Sequence, residues 1–117
     1  MKNLSTATRL RIYISSTDKA GHTPLYELIV HAAHKQGLAG ATVLKGIMGY
    51  GASSEIHSNK VWEITEKMPL IIEIVDEPER IREFYNSVEP LFENSGKGHM
   101  ITAEEVEILR HKAGTKF

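Results

Sequence analysis

The sequence predicts a single α/β or α+β domain in which a strand–helix–strand pattern is used twice. Three observations carry this. Residues 9–14 alternate polar and apolar, as a half-covered strand does. Residues 25–33 carry apolar side chains at helical spacing, and residues 70–75 are an apolar run interrupted only by Glu73. At 117 residues the chain is long enough for one core and not for two.

Residues 1–8 are polar and expected to fray, as unanchored termini do. In residues 9–14, Leu10, Ile12 and Ile14 share one face. Arg9, Arg11 and Tyr13 share the other, which must meet water or a partner. Residues 15–22 are a turn cluster. Thr23 and Pro24 then open a helix, with the hydroxyl as N-cap and proline at the first helical position, where its missing N–H costs nothing. Leu25, Leu28, Ile29, Ala32 and Ala33 form its apolar stripe, and Gly37 is placed as the left-handed residue that ends it.

Residues 41–48 read as the second strand, and Gly46 within it predicts a bulge or a close backbone approach. Gly49, Tyr50 and Gly51 end the regularity; residues 52–59 have no period, and residues 61–64 are a short strand candidate. Residues 70–75 form a central or near-central strand, in which Glu73 calls for a cation such as Lys45, Arg9 or Arg11. Asp76 or Glu77 caps a second helix whose buried stripe is Ile81, Phe84, Tyr85 and Val88. Pro90 is expected to end it, leaving Leu91 and Phe92 in a turn. Residues 94–99 are a second glycine-rich turn.

The last segment pulls two ways. Thr102 and Glu105 match a capping box, and local propensity leans to helix. Met100 to Thr102 and Val106 to Leu109 suit a strand. Only the strand completes a β-α-β-β-α-β order.

Composition narrows the function. The net charge of −1 and the lack of a basic block argue against a nucleic-acid surface. The chain has no cysteine, which removes disulfides and thiolate metal sites and is compatible with the cytoplasm, the expected location. The run 70–75 is too short to insert in a bilayer, and residues 1–10 lack the apolar segment of a targeting signal. Of the six histidines, only His31 and His34 are spaced to share a metal on a helix, and spacing offers no third ligand, so a solvated face is expected and no metal site. No nucleophile elbow, zinc-binding HExxH or informative carboxylate pair is present, so no enzyme is expected. Gly96, Lys97 and Gly98 have the ingredients of an anion site: glycines that let N–H groups approach phosphate oxygens, and a lysine as point charge. For this cluster and for Gly49 and Gly51, a plain turn is the competing reading.

Taken together, four segments carry a family resemblance. They are Asp18-Lys19-x-Gly21-His22-x-Pro24-Leu25-Tyr26, then Gly40-Ala-Thr-Val-Leu-Lys-Gly-Ile-Met-Gly-Tyr-Gly51, then His57-Ser58, then Leu70-Ile-Ile-Glu-Ile-Val-Asp76 with Glu79-Arg80-Ile81. In this order, over residues 9–110, the chain resembles the domain-of-unknown-function 190 family of the PII-like superfamily. The resemblance implies a ferredoxin-like β-α-β-β-α-β sandwich, with an antiparallel sheet and two helices on one face, assembled as a homotrimer. It implies an adenine nucleotide as effector in clefts between subunits, with no other cofactor, and a mobile T-loop at about residues 50–60. That loop would report occupancy to a partner such as the cytoplasmic face of a membrane transporter or channel, or an enzyme. It assigns Gly49, Gly51, Gly96, Lys97, Gly98 and Arg110 to the phosphates, and Thr42 and Tyr50 to the base.

Two departures bear on the ligand. The loop is shorter than in PII proteins and lacks their tyrosine-modification segment. Arg110 stands alone where they carry a pair, a charge count that favours AMP or ADP over ATP. Two alternatives on the same fold stay open. One is a metal-responsive trimer similar to copper-tolerance proteins, using His57, His99 or the pair His31 and His34. The other is a small nucleotide hydrolase with His57 as acid or base.

Overall fold

The computed structural model describes residues 5–51, 57–58 and 67–114. In chain order the elements are β1 (Ser5–Ser15), β2 (Lys19–Ala20), β3 (Thr23–Pro24), α1 (Leu25–Lys35), β4 (Thr42–Lys45), β5 (Met48–Gly49), β6 (His57–Ser58), β7 (Pro69–Asp76), α2 (Pro78–Ser95) and β8 (Met100–Ile108). Four strands make one antiparallel sheet in the order β4-β7-β1-β8, while β2 with β3 and β5 with β6 form two small ribbons. Without the ribbons, the order β1-α1-β4-β7-α2-β8 is the expected ferredoxin-like β-α-β-β-α-β.

Strand periodicity builds the core. Leu10, Ile12 and Ile14 of β1 and Leu70, Ile72 and Ile74 of β7 point to one sheet face. There they meet Leu25, Ile29 and Ala33 of α1 and Ile81, Phe84, Val88 and Phe92 of α2, so both helices cover the same face. On the open face, Arg11 Nε donates to Glu73 Oε2 at 2.9 Å, the cation that Glu73 called for. Arg9 pairs with Glu104 from β8, and Arg11 Nη1 also approaches Glu104, at 3.7 Å. The hydrogen bond from Arg9 holds the Glu104 carboxyl below its usual range, and the bond to Glu73 holds the Arg11 guanidinium more firmly protonated. These are half-exposed pairs, which orient the strands more than they stabilise them.

Helix α1 ends as its sequence requires. Gly37 has φ +75°, the Leu38 N–H bonds to the Ala33 carbonyl and the Gly37 N–H to the His34 carbonyl, a Schellman closure. Gly46 supplies the close approach: a Cβ there would lie 2.7 Å from Pro69 Cγ.

Three local expectations are corrected and two open choices are decided. Residues 5–8 do not fray; they extend β1, Ser5 pairs with Ile108, and Ala7 is buried. Thr23 is not the N-cap of α1: it belongs to a ribbon strand, Pro24 takes the cap position, and the Asp18 carbonyl accepts the Leu25 N–H. Glu77 is the N-cap of α2 without a side-chain bond; the Asp76 carboxylate instead accepts the Glu77 and Ala39 N–H groups, tying α2 to the chain before β4. Pro90 does not stop α2, which continues to Ser95. Pro90 and Asn86, whose carbonyl loses its donor, are both exposed, so water can replace the bond, while burial of Phe92 rewards another turn. The tail is strand: nine register pairs with β1 outweigh the capping box. Residues 1–4, the strand candidate 61–64, and the loop apart from residues 50, 51, 57 and 58 lie outside the described residues.

Candidate functional site

The fold leaves a cleft of about 900 Å³ across one end of the sheet. At this end β1 finishes, β7 and β8 begin, and β4 gives way to the β5–β6 ribbon, with Tyr13 paired to both Ile71 and Met100. The sheet edges β4 and β8 are three strand spacings apart, roughly 14 Å. Each delivers one glycine cluster to the cleft.

The first cluster arrives with the ribbon. Gly49 pairs with His57, so Gly49 belongs at once to the cleft wall and to the root of the loop. Tyr50 and Gly51 line the wall beside it, and Tyr50 is 70% exposed. The second cluster is the α2–β8 connection. Gly96, with φ +67°, turns the chain out of α2 in the left-handed conformation that glycine takes without strain. Ser95 Oγ then donates to the Phe92 carbonyl and accepts the Lys97 N–H. His99 lies over buried Phe92, ring centroids 5.2 Å apart, with Nδ1 3.1 Å from the Lys97 carbonyl. Gly96, Lys97 and Gly98 are thus held open on the cleft, and no hydrogen bond to a described residue occupies the Gly98 N–H.

Six of the eight residues singled out from sequence therefore meet in one cleft: Gly49, Tyr50, Gly51, Gly96, Lys97 and Gly98. The other two lie elsewhere in the protomer. Thr42 sits opposite Glu73 on the β4 edge, outside the cleft lining. Arg110 follows the far end of β8, ten residues beyond Met100, or roughly 33 Å along an extended strand.

The cleft also holds residues that sequence reasoning missed. Asp18 is 3% exposed at its wall, with Oδ2 accepting the Ser15 N–H at 2.9 Å. Lys67 enters just ahead of β7 and brings a second lysine. Asp18 opens the first resemblance segment, which was a usable signal; Lys67 carried none. The remaining wall is apolar and accessible, from Met48, Ile71 and Met100 with the Tyr13 ring. Chemically the cleft joins backbone donors and two ammonium groups to a surface that suits a flat apolar ring.

Among the described residues no three histidine, cysteine or carboxylate side chains gather to hold a metal ion, and His31 and His34 are exposed on α1. No helix among them is long and apolar enough to cross a membrane.

Comparison with known proteins gives a consistent result. The profile of the family DUF190, described as uncharacterized ACR, matches residues 7–108. A UPF0166 protein of Aquifex aeolicus (strain VF5) is 35% identical over 101 residues, 86% of this chain and 90% of the relative. A UPF0166 protein of Methanocaldococcus jannaschii is 32% identical over 87 residues, 74% of this chain and 80% of the relative. Among solved structures, CPII, a nitrogen regulatory PII-like protein from Thiomonas intermedia K12 bound to ADP, AMP and bicarbonate, superposes with a TM-score of 0.68. Its identity is 16%, with 92% of each chain covered, a likeness of fold.

Proposed function

The chain belongs to the DUF190 (UPF0166) family, and from that membership and its PII-like fold we propose that it is a non-enzymatic regulatory protein that binds an adenine nucleotide, AMP or ADP first. One observation carries the reading: two glycine clusters 45 residues apart in sequence open onto the same cleft, with Lys97 and Lys67 beside them. Backbone N–H groups near Gly98 and the two ammonium groups take the phosphate. Tyr50, Met48 and Met100 take the base. The Asp18 carboxylate repels a phosphate, so it belongs at the ribose or amine end of the ligand and sets its direction.

The nucleotide seen with CPII supports the ligand class, since the fold is shared. In this reading Thr42 and Arg110 join the cleft from a neighbouring copy, and the protein is a homotrimer whose sites are completed across subunits. Two features favour assembly. Among the described residues no strand pairs with the outer side of β4 or β8, and Leu44, Ile47, Met48, Met100 and Leu109 are exposed on or beside them. Occupancy is reported through the ribbon: a ligand seated on Gly49 favours whichever β5–β6 arrangement it contacts better, by its differential affinity. The reader of that signal is a partner protein, with the cytoplasmic face of a transporter or channel as one class.

Calorimetry with AMP, ADP, ATP and divalent metal ions tests this. Heat with AMP or ADP and without turnover supports the proposal. Binding of metal alone, lost in His57→Ala, would replace it with the metal-responsive reading, and nucleotide hydrolysis with the enzyme reading.

A further inference from the structure

We propose that His99 is a phosphate-binding residue of the cleft that works only with a proton on Nε2, so that ligand binding draws a proton from solution. This deepens the nucleotide reading above and rests on it. His99 Nδ1 lies 3.1 Å from the Lys97 carbonyl oxygen. A carbonyl can only accept, so Nδ1 carries a hydrogen in both charge states of the ring. In the neutral ring Nε2 is consequently a bare acceptor, and only the imidazolium makes it a donor. The ring packs on Phe92 at a tilt of 38°, and Nε2 has no hydrogen-bond partner among the described residues.

His99 lines the same cleft as Gly96 to Gly98, where the phosphate is placed. A phosphate oxygen facing a bare Nε2 is two lone pairs in opposition. The contact therefore needs one proton, and in this proposal the ring carries it on Nε2. Where the free ring lacks that proton, the complex takes it up from solution. The other titratable groups on the cleft are Lys97 of the same connection, Lys67 before β7, Asp18 after β1, Tyr13 of β1 and Tyr50 after β5. From α2 the contact is the uncharged Phe92 ring. Of these groups the imidazole alone can switch between acceptor and donor at one ring nitrogen, and Asp18 belongs at the opposite end of the ligand, so His99 is the group that couples phosphate binding to pH.

The test is titration of the whole protein with ADP at about pH 8 and about pH 6, in two buffers of different ionisation heat. It compares the wild type with His99→Asn and His99→Lys. Asparagine keeps a donor for the Lys97 carbonyl but has no Nε2; lysine is charged throughout. Wild-type affinity is expected to rise about tenfold more than that of His99→Asn between the two pH values, as one charge-assisted bond allows. Proton uptake at the higher pH is expected in the wild type only, and His99→Lys should bind there without uptake. Nitrogen chemical shifts of the wild-type imidazole, which need no variant, should move from the neutral Nδ1–H form to the imidazolium when ADP is added. ADP binding with equal proton uptake in wild type and His99→Asn, or with an imidazole that stays neutral, would overturn the role of His99 and leave the nucleotide reading standing. No ADP binding by the wild type at either pH would overturn both.

Discussion

Replacing Gly46 with alanine places a methyl carbon 2.7 Å from Pro69 Cγ and 3.4 Å from the Pro69 carbonyl oxygen. Carbon pairs rest at about 3.5–4.0 Å, so the first contact is short by roughly an ångström. Neither side moves easily. The Gly46 N–H is bonded to the Pro69 carbonyl at 2.8 Å, and the Pro69 ring offers only a change of pucker. Overpacking of this kind costs about 1–3 kcal/mol. Alanine recovers roughly 0.4–1 kcal/mol by restraining the unfolded chain, since Gly46 does not use a positive φ. The net loss is about 0–2.6 kcal/mol, close to 4 °C in Tm for each kcal/mol in a chain of this length. Urea unfolding at fixed protein concentration measures it. The diagnostic is the cycle with Pro69→Ala: with the ring gone, Gly46→Ala should cost little or become stabilising, a coupling of at least about 1 kcal/mol. Both residues line the cleft, so nucleotide affinity should fall in the single variant and recover in the double. A Gly46→Ala protein as stable as the wild type, with no coupling to Pro69, would refute the close packing of the β4 exit on β7.

Further outcomes follow from the same geometry. Lys97→Ala should weaken AMP or ADP binding by about 1–3 kcal/mol in calorimetry, the loss of a charge-assisted bond, with the urea midpoint little changed. Lys97→Ala and Arg110→Ala, each weak alone, should regain strong sites when the two are unfolded together and co-refolded, because a cleft with Lys97 can then be completed by a neighbour's Arg110; no recovery would sink the shared site. Glu104 has a folded pKa below its unfolded value, so its contribution to stability is complete above the ordinary carboxylate range and is lost as pH falls through the lowered value. In Glu104→Gln the acid limb of the urea midpoint against pH should accordingly be shallower than in the wild type. Phe84→Ala, at a side chain with 0% exposure between α2 and the sheet, should cost about 3–5 kcal/mol by thermal or urea unfolding.

How much of this was legible in the sequence depends on whether local chemistry or long-range pairing decided the outcome. The end of α1 was readable because a glycine with positive φ and two short-range bonds make it. So was the pairing need of Glu73, since a carboxylate among isoleucines demands a cation; which cation depended on the register that sets Arg11 opposite it. Pro90 misled because the penalty of a missing N–H was weighed without the burial of Phe92 two residues on. The tail misled local rules because its helical propensity is a few tenths of a kcal/mol per residue, while β1 offered a whole open edge. The polar start of β1 was undervalued for the same reason: Ser5 to Thr8 have little hydrophobic signal and are held by β8. At the site, glycine clusters announce themselves through composition. Asp18 and Lys67 do not, because what brings them to the cleft is the ends of strands far apart in sequence.

The central claim is that this cleft holds an adenine nucleotide, and native mass spectrometry of the purified protein mixed with AMP or ADP tests it most directly. The account predicts a species of three times the 13.1 kDa protomer mass carrying up to one nucleotide per protomer, with those mass increments reduced in Lys97→Ala at the same nucleotide concentration. A protein that gains no nucleotide mass under these conditions, or gains it equally with Lys97 removed, would contradict it.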